Sequence, residues 1–136
     1  MSQPQSPPTV LVLDSELGFM LALSQELSKR QIACFPARTV QEAQSLLLQF
    51  RLKLDALVTH CGRPGACGFA EAVTQDRPGV PIVGIISERH RCRRCADRLA
   101  AQLRDPEDRG PERISHCADV IEMLVRGHKR RAHRAG

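Results

Sequence analysis

The sequence predicts an α/β fold, a parallel sheet covered by helices on both faces. Two observations carry this. Short apolar runs rich in β-branched residues alternate with longer segments whose apolar residues recur at helical spacing. The run from Val80 to Ile86 is apolar almost throughout, as a strand covered on both faces must be. The chain has 136 residues, a length that suits one domain, and no internal repeat is visible.

The elements follow in order. Residues 1–8 are polar and Pro-rich and are expected to be a disordered tail. Thr9 to Leu13 is a buried strand ending at Asp14. Leu17, Met20, Leu21, Ser24 and Leu27 recur at helical spacing and predict a helix over 16–30. Ile32 to Ala37 is a second strand. Thr39 and Glu42 form a capping box, opening a helix with Val40, Ala43, Leu47 and Phe50 on one face. Asp55 to Thr59 is a third strand, followed by a loop of turn formers from Cys61 to Gly68. Phe69, Ala70 and Val73 suggest a short helix, and Val80 to Ile86 is the fourth strand. Residues 88–99 read as a helix with a very basic outer face, and Ala101 to Arg104 as a weak edge strand. After a loop over 105–110, Pro111 fits the first position of a last helix. Its apolar stripe is Ile114, Cys117, Ala118, Ile121, Leu124 and Val125. The domain is expected over 9–126, with a basic, disordered tail over 127–136 beginning at Gly127.

Composition narrows the function classes. Aromatic residues make up 3%, with no Trp or Tyr, so the core must be built from Leu, Val, Ile and Ala. No apolar run reaches the roughly 18 residues of a membrane span, and the N-terminus does not read as a secretory signal. A cytoplasmic protein with reduced cysteines is expected. The formal net charge is +5 and the isoelectric point about 9.2, which permits an anionic partner without naming one. The basic residues concentrate in two blocks, Arg89 to Arg98 and His128 to Arg134.

In an open sheet of this kind, function gathers at the carboxyl ends of the strands. Those ends carry Asp14, Ser15, Glu16, His60, Cys61, Ile86, Ser87 and Asp105. Over about residues 9–126 the chain resembles the receiver domain of bacterial response regulators. Val10-Leu-Val-Leu-Asp-Ser-Glu16 is similar to that family's first strand and its acidic end. Asp55-Ala-Leu-Val-Thr-His60 resembles the third strand, which in the family ends in the phosphorylated aspartate. Pro64, Gly65 and Gly68 match the Pro-Gly-x-x-Gly loop, Val80 to Ser87 the fourth strand, and Leu103-Arg-Asp-Pro106 the Leu-x-Lys-Pro ending of the fifth. The resemblance implies a flavodoxin-like (βα)5 doubly wound sheet in the order 2-1-3-4-5.

It also implies a degenerate pocket. The family's chemistry uses an aspartate nucleophile, acidic residues that hold magnesium, a Thr or Ser on the phosphoryl oxygens and a Lys that neutralises added charge. The positions that match these are His60, the pair Asp14-Ser15 with Glu16 adjacent, Ile86 with Ser87 one residue on, and Asp105 before Pro106. Only Asp14 and Pro106 keep the family's residue. No Asp or Glu lies between Asp55 and Glu71 to replace the nucleophile. Magnesium is therefore not expected, and a phosphohistidine at His60 is set aside for want of a magnesium site.

Six cysteines remain to be placed. Cys34 and Cys117 lie on apolar stretches and read as small core residues. Cys61, Cys67, Cys92 and Cys95 fall on the rim that the receiver fold would assemble, with His90 nearby. Four thiolates, or three with a histidine, are a closed zinc set. The C-x-x-C pair Cys92-Arg-Arg-Cys95 also fits a redox pair or incidental packing. His116 reads as a boundary residue beside the apolar stripe.

The leading functional expectation is a stand-alone pseudo-receiver that signals by binding a protein partner, with phosphorelay activity lost. One alternative is a zinc- or redox-responsive regulator using the rim cysteines. Another is weak nucleic-acid binding through the basic segments, disfavoured by the lack of a helix-turn-helix and of stacking aromatics. No enzyme is expected, since no nucleophile–base pair and no G-x-G-x-x-G loop is present. By resemblance the chain could form a homodimer through its fourth helix, fifth strand and fifth helix, a surface that the basic fourth helix puts in doubt.

Overall fold

The computed structural model describes residues 7–49, 53–60, 64–86, 99–104 and 111–135. Five parallel strands form one sheet in the order β2-β1-β3-β4-β5. They are β1 (Thr9–Leu13), β2 (Ala33–Ala37), β3 (Ala56–His60), β4 (Ile82–Ile86) and β5 (Ala101–Arg104). The helices are α1 (Leu17–Lys29), α2 (Val40–Gln49), α3 (Ala66–Asp76) and α4 (Pro111–Ala135). This is the doubly wound order expected from the sequence. The helix expected over 88–99, the loop over 105–110 and Phe50 lie outside the described residues.

Alternation along each strand divides the core in two. Val10, Val12, Ala56, Val58, Val83 and Ile85 face α1 and α4, joined by Met20, Leu23 and Leu27 of α1 and by Ala118, Ile121 and Val125 of α4. Leu11, Leu13, Leu57 and Ile82 face the other way, against Ala43 of α2 and Ala66, Phe69, Ala70 and Val73 of α3. Burying each large aliphatic side chain contributes about 1.5–3 kcal/mol, so both helical layers are required. Pro36 is tolerated because β2 is an edge strand.

The ends of the elements show local causes. Glu42 N donates to Thr39 Oγ1 at 3.1 Å, and the Glu42 carboxylate accepts from the backbone N–H of Arg38 at 2.8 Å. The capping box thus closes one residue further upstream than the usual form. α1 ends with Gln31 in the left-handed region, φ 62°. Gln31 N donates to Ser28 O and Ile32 N to Leu27 O, both at 3.0 Å, a Schellman arrangement that turns the chain into β2. Gly65 at the start of α3 has φ 78°, and a Cβ there would sit 3.2 Å from Val40 Cγ2. A glycine is needed at this turn for both reasons.

Several expectations are corrected. Leu17 and Leu21 are half exposed, at 49% and 50%. The buried stripe of α1 is Phe19, Met20, Leu23 and Leu27, because the face toward the sheet is rotated away from the 17–21 row. On α2, Ala43 alone is fully buried and Leu47 packs at the edge of the core. His60 lies inside β3 rather than after it. The tail expected beyond Gly127 is helix as far as Ala135. A single helical glycine costs only about 1 kcal/mol, Arg, Lys and Ala are strong helix formers, and the segment is tied down. His128 Nδ1 lies 3.1 Å from Asp55 Oδ1, while Asp55 Oδ2 accepts from the Thr9 backbone N–H at 2.8 Å.

Arg30 joins α1 to α4. Its guanidinium donates to Asp119 and, at 3.1 Å, to Glu26, and reaches Glu122 at 3.4 Å and both the hydroxyl and carbonyl oxygens of Ser115. The hydrogen bond to Asp119 is the main reason its pKa is raised. The planar fork of arginine allows this spread of partners, and lysine cannot reproduce it. Arg30→Ala is expected to lower stability to urea by about 1–2 kcal/mol, since Asp119 is largely solvated. Arg30→Lys should recover less than half of that loss.

Candidate functional site

The carboxyl ends of β1, β3 and β4 form the rim where a site is expected. Asp14 follows β1 directly and is 1% exposed. Its backbone N–H donates to Ala37 O at 3.1 Å, which continues the β1–β2 pairing. Its Oδ1 accepts from Ser15 N at 2.7 Å and Glu16 N at 3.2 Å. That Asx-type turn converts strand to helix, and Glu16 follows as the extended N-cap of α1, with its carbonyl accepting from Met20 N. Ser15 is half-buried and Glu16 exposed.

His60 closes β3 and is 5% exposed. It is in register with Ile85 of β4, and Thr59 with Leu13 of β1. Carried one residue on, the register sets His60 beside Asp14. Alternation directs His60 to the face of Val58, the face covered by α1 and α4. Thr59 points to the opposite face, and its buried hydroxyl makes no hydrogen bond among the described residues. Ile86 is half-buried at the end of β4. The structure therefore brings Asp14, Ser15, Glu16, His60 and Ile86 to one rim. Ser87, Asp105 and Pro106 lie outside the described residues.

Cys61, Cys92, Cys95 and His90 lie outside them as well, so of the four rim cysteines only Cys67 is placed, half-buried on α3. Among the described residues no group of three or more His, Cys, Asp or Glu is positioned to hold a metal ion. Cys34 and Cys117 take the core roles expected of them. Burial, with Cys34 nearby, pushes the Cys117 thiol up to about 12. Burial also raises the Cys34 thiol, opposed by the hydroxyl of Ser24, which donates to its Sγ at 3.2 Å. Thiols so shifted are poor nucleophiles and poor metal ligands at neutral pH.

One feature had no signal in the sequence. A cavity of about 420 Å3 opens between β4, β5 and the first turns of α1 and α4. Phe19, Ile85, Leu103, Ile114 and Cys117 give it an apolar wall, and the exposed Glu112, Arg113 and His116 stand at its polar side. Its walls come from four elements far apart in the chain, so no local pattern marks it. His60 does not line it.

Because Asp14 holds the β1–α1 turn, Asp14→Ala should cost about 1–3 kcal/mol in urea unfolding, from two part-buried N–H groups left without their acceptor. Asp14→Asn retains an oxygen at the same place and should cost clearly less.

No family model matches the chain, and no curated protein matches it. Solved structures do. The signal receiver domain of an HD-domain-containing protein from Pseudomonas fluorescens aligns over 98% of both chains, with a TM-score of 0.75 and 15% identity. A response regulator receiver domain protein from Clostridium thermocellum aligns over 90% of this chain and 97% of its own, with a TM-score of 0.72 and 12% identity. The non-phosphorylated HemR receiver domain from Leptospira biflexa covers 87% of this chain and 94% of its own, with a TM-score of 0.71 and 16% identity. Over nearly its whole length, the chain has the flavodoxin-like fold of response-regulator receiver domains.

Proposed function

We propose that this protein is a pseudo-receiver, a signalling module of response-regulator type that acts by binding a protein partner without phosphoryl control. The observation that carries the reading is a receiver fold whose third strand ends in a buried histidine, His60, where the sequence resemblance sets the family's phosphorylated aspartate. Receiver domains are in general signalling modules rather than enzymes, and the proposal keeps that role for the unit over 9–126.

The residues present do not fit a magnesium site. Magnesium asks for near-octahedral oxygen ligation. Ser15 and His60 stand where the resemblance calls for carboxylates, which leaves Asp14, with Oδ1 held by two backbone N–H donors and Oδ2 buried, as the one buried acid of the rim among the described residues. Ile86 replaces the hydroxyl and Asp105 the lysine that would receive the phosphoryl group and its charge. By the resemblance, a transferred phosphoryl group would lack the lysine that stabilises it in a working site. No step through magnesium is therefore assigned.

Surface features accord with a binding role. Leu17 and Leu21 present a half-exposed apolar pair on α1 beside the rim, and Leu48 and Met123 are exposed elsewhere. No described helix is long and apolar enough to cross a membrane.

The test is incubation of the purified chain with magnesium and acetyl phosphate, followed by intact mass spectrometry and hydroxylamine treatment. No phosphoryl adduct is expected above the level of the heat-denatured chain. A magnesium-dependent, hydroxylamine-labile adduct would falsify the reading.

A further inference from the structure

The far end of α4 carries a charge pattern that the pseudo-receiver reading leaves unused. α4 is 25 residues long, about 37 Å at 1.5 Å per residue. Among the described residues, the last fully buried one is Val125. Beyond Glu122 the sequence holds no acidic residue, while Arg126, Lys129, Arg130, Arg131 and Arg134 are all cationic.

Two structural explanations for this charge fall short. Cations near a helix C-terminus complement the macrodipole, but that effect fades within the last turn. Lys129, Arg130 and Arg131 precede the last turn of a helix ending at Ala135. Pairing with acids one turn back is the other. The residues four positions before Arg130 and Arg131 are Arg126 and Gly127, neither of them acidic. Arg126 itself is engaged with Glu122 and with the carbonyl of Arg30; Arg130 Nε donates to the Arg126 carbonyl at 3.3 Å, and the two like charges one turn apart disfavour the helix. Arg130 and Arg131 are exposed. The helix thus holds cations together against their repulsion, which an anionic surface would relieve.

The segment is also aimed. The pair formed by His128 and Asp55 fixes it at the pole where β1 and β3 begin, opposite the carboxyl rim.

We propose that the C-terminal part of α4, centred on Arg130 and Arg131, is a docking surface for the phosphate backbone of duplex DNA. Membrane insertion needs an apolar face, and beyond Val125 the only apolar side chains are Ala132 and Ala135. Single strands are held largely by aromatic stacking, and the segment has no Phe, Tyr or Trp. What remains is backbone contact by arginine forks, which suit phosphate oxygens. Such binding is independent of sequence and falls with salt. It leaves the opposite rim open to a protein partner, so the chain could hold that partner at DNA.

The experiment titrates the whole chain against a labelled mixed-sequence duplex by fluorescence anisotropy from 50 to 200 mM salt. Binding in the micromolar range at the low-salt end is expected, with a slope of log affinity against log salt of about −3 to −5. The double variant Arg130→Gln/Arg131→Gln should bind about tenfold more weakly and shallow the slope by about 2. The charge-matched variant Arg38→Gln/Arg113→Gln, at the other pole, should keep both affinity and slope. Circular dichroism melts confirm that both variants fold. Equal losses in the two variants would overturn the proposal, since net charge alone would then explain binding. So would absence of binding at 50 mM salt, or equal affinity for anionic phospholipid vesicles or polyglutamate.

Discussion

Two-sided burial of the central strands is the constraint on which the rest of this structure depends. In β1, Val10 to Leu13 are all buried, and β3 is buried along all five residues. A parallel strand in that position cannot leave either face to water, so α1 and α4 must cover one side and α2 and α3 the other. Polar chemistry is thereby driven to the strand ends. Asp14 follows β1 directly and His60 completes β3 after Thr59, and each is itself buried.

The helical layer over β1 and β3 is held by more than apolar contact. Arg30 at the end of α1 reaches Glu26 on its own helix and Asp119, Glu122 and Ser115 on α4. Asp55 bridges the starts of β1 and β3 to His128. These polar ties lie toward the pole where the strands begin. They keep α4 in line past the last apolar residue of its stripe and give its cationic end a fixed direction. The carboxyl rim has a different character. There Asp14 is engaged with backbone amides, and a buried histidine, His60, completes β3.

Much of the fold was legible in the sequence because strong local signals agreed. Strand order followed from the resemblance to receiver domains, and each apolar run became a strand within one or two residues. The capping box at Thr39 and Glu42 formed in modified shape. What escaped was non-local or ambiguous. The Arg30 network joins residues about 90 positions apart. The cavity near Phe19 and Leu103 is assembled from four elements. The helix beyond Gly127 escaped because a glycine followed by a block of cations reads as a disordered basic tail. On α1, Leu17 and Leu21 fit the helical period but fall outside the face that meets the sheet. At the site, identity was easier to read than role. Asp14 was found from its place after β1, yet its hydrogen bonds to Ser15 and Glu16 emerge only from the turn geometry.

The central proposal is that this receiver fold has lost phosphoryl chemistry, and amide chemical shifts test it most directly. The labelled chain would be titrated with magnesium and then with beryllofluoride, a mimic of a bound phosphoryl group. The account predicts no saturable shifts at Asp14, Ser15, His60 and Ile86 beyond those produced by salt of equal ionic strength. Saturable, magnesium-dependent shifts centred on those residues would contradict it and would identify a working acceptor pocket.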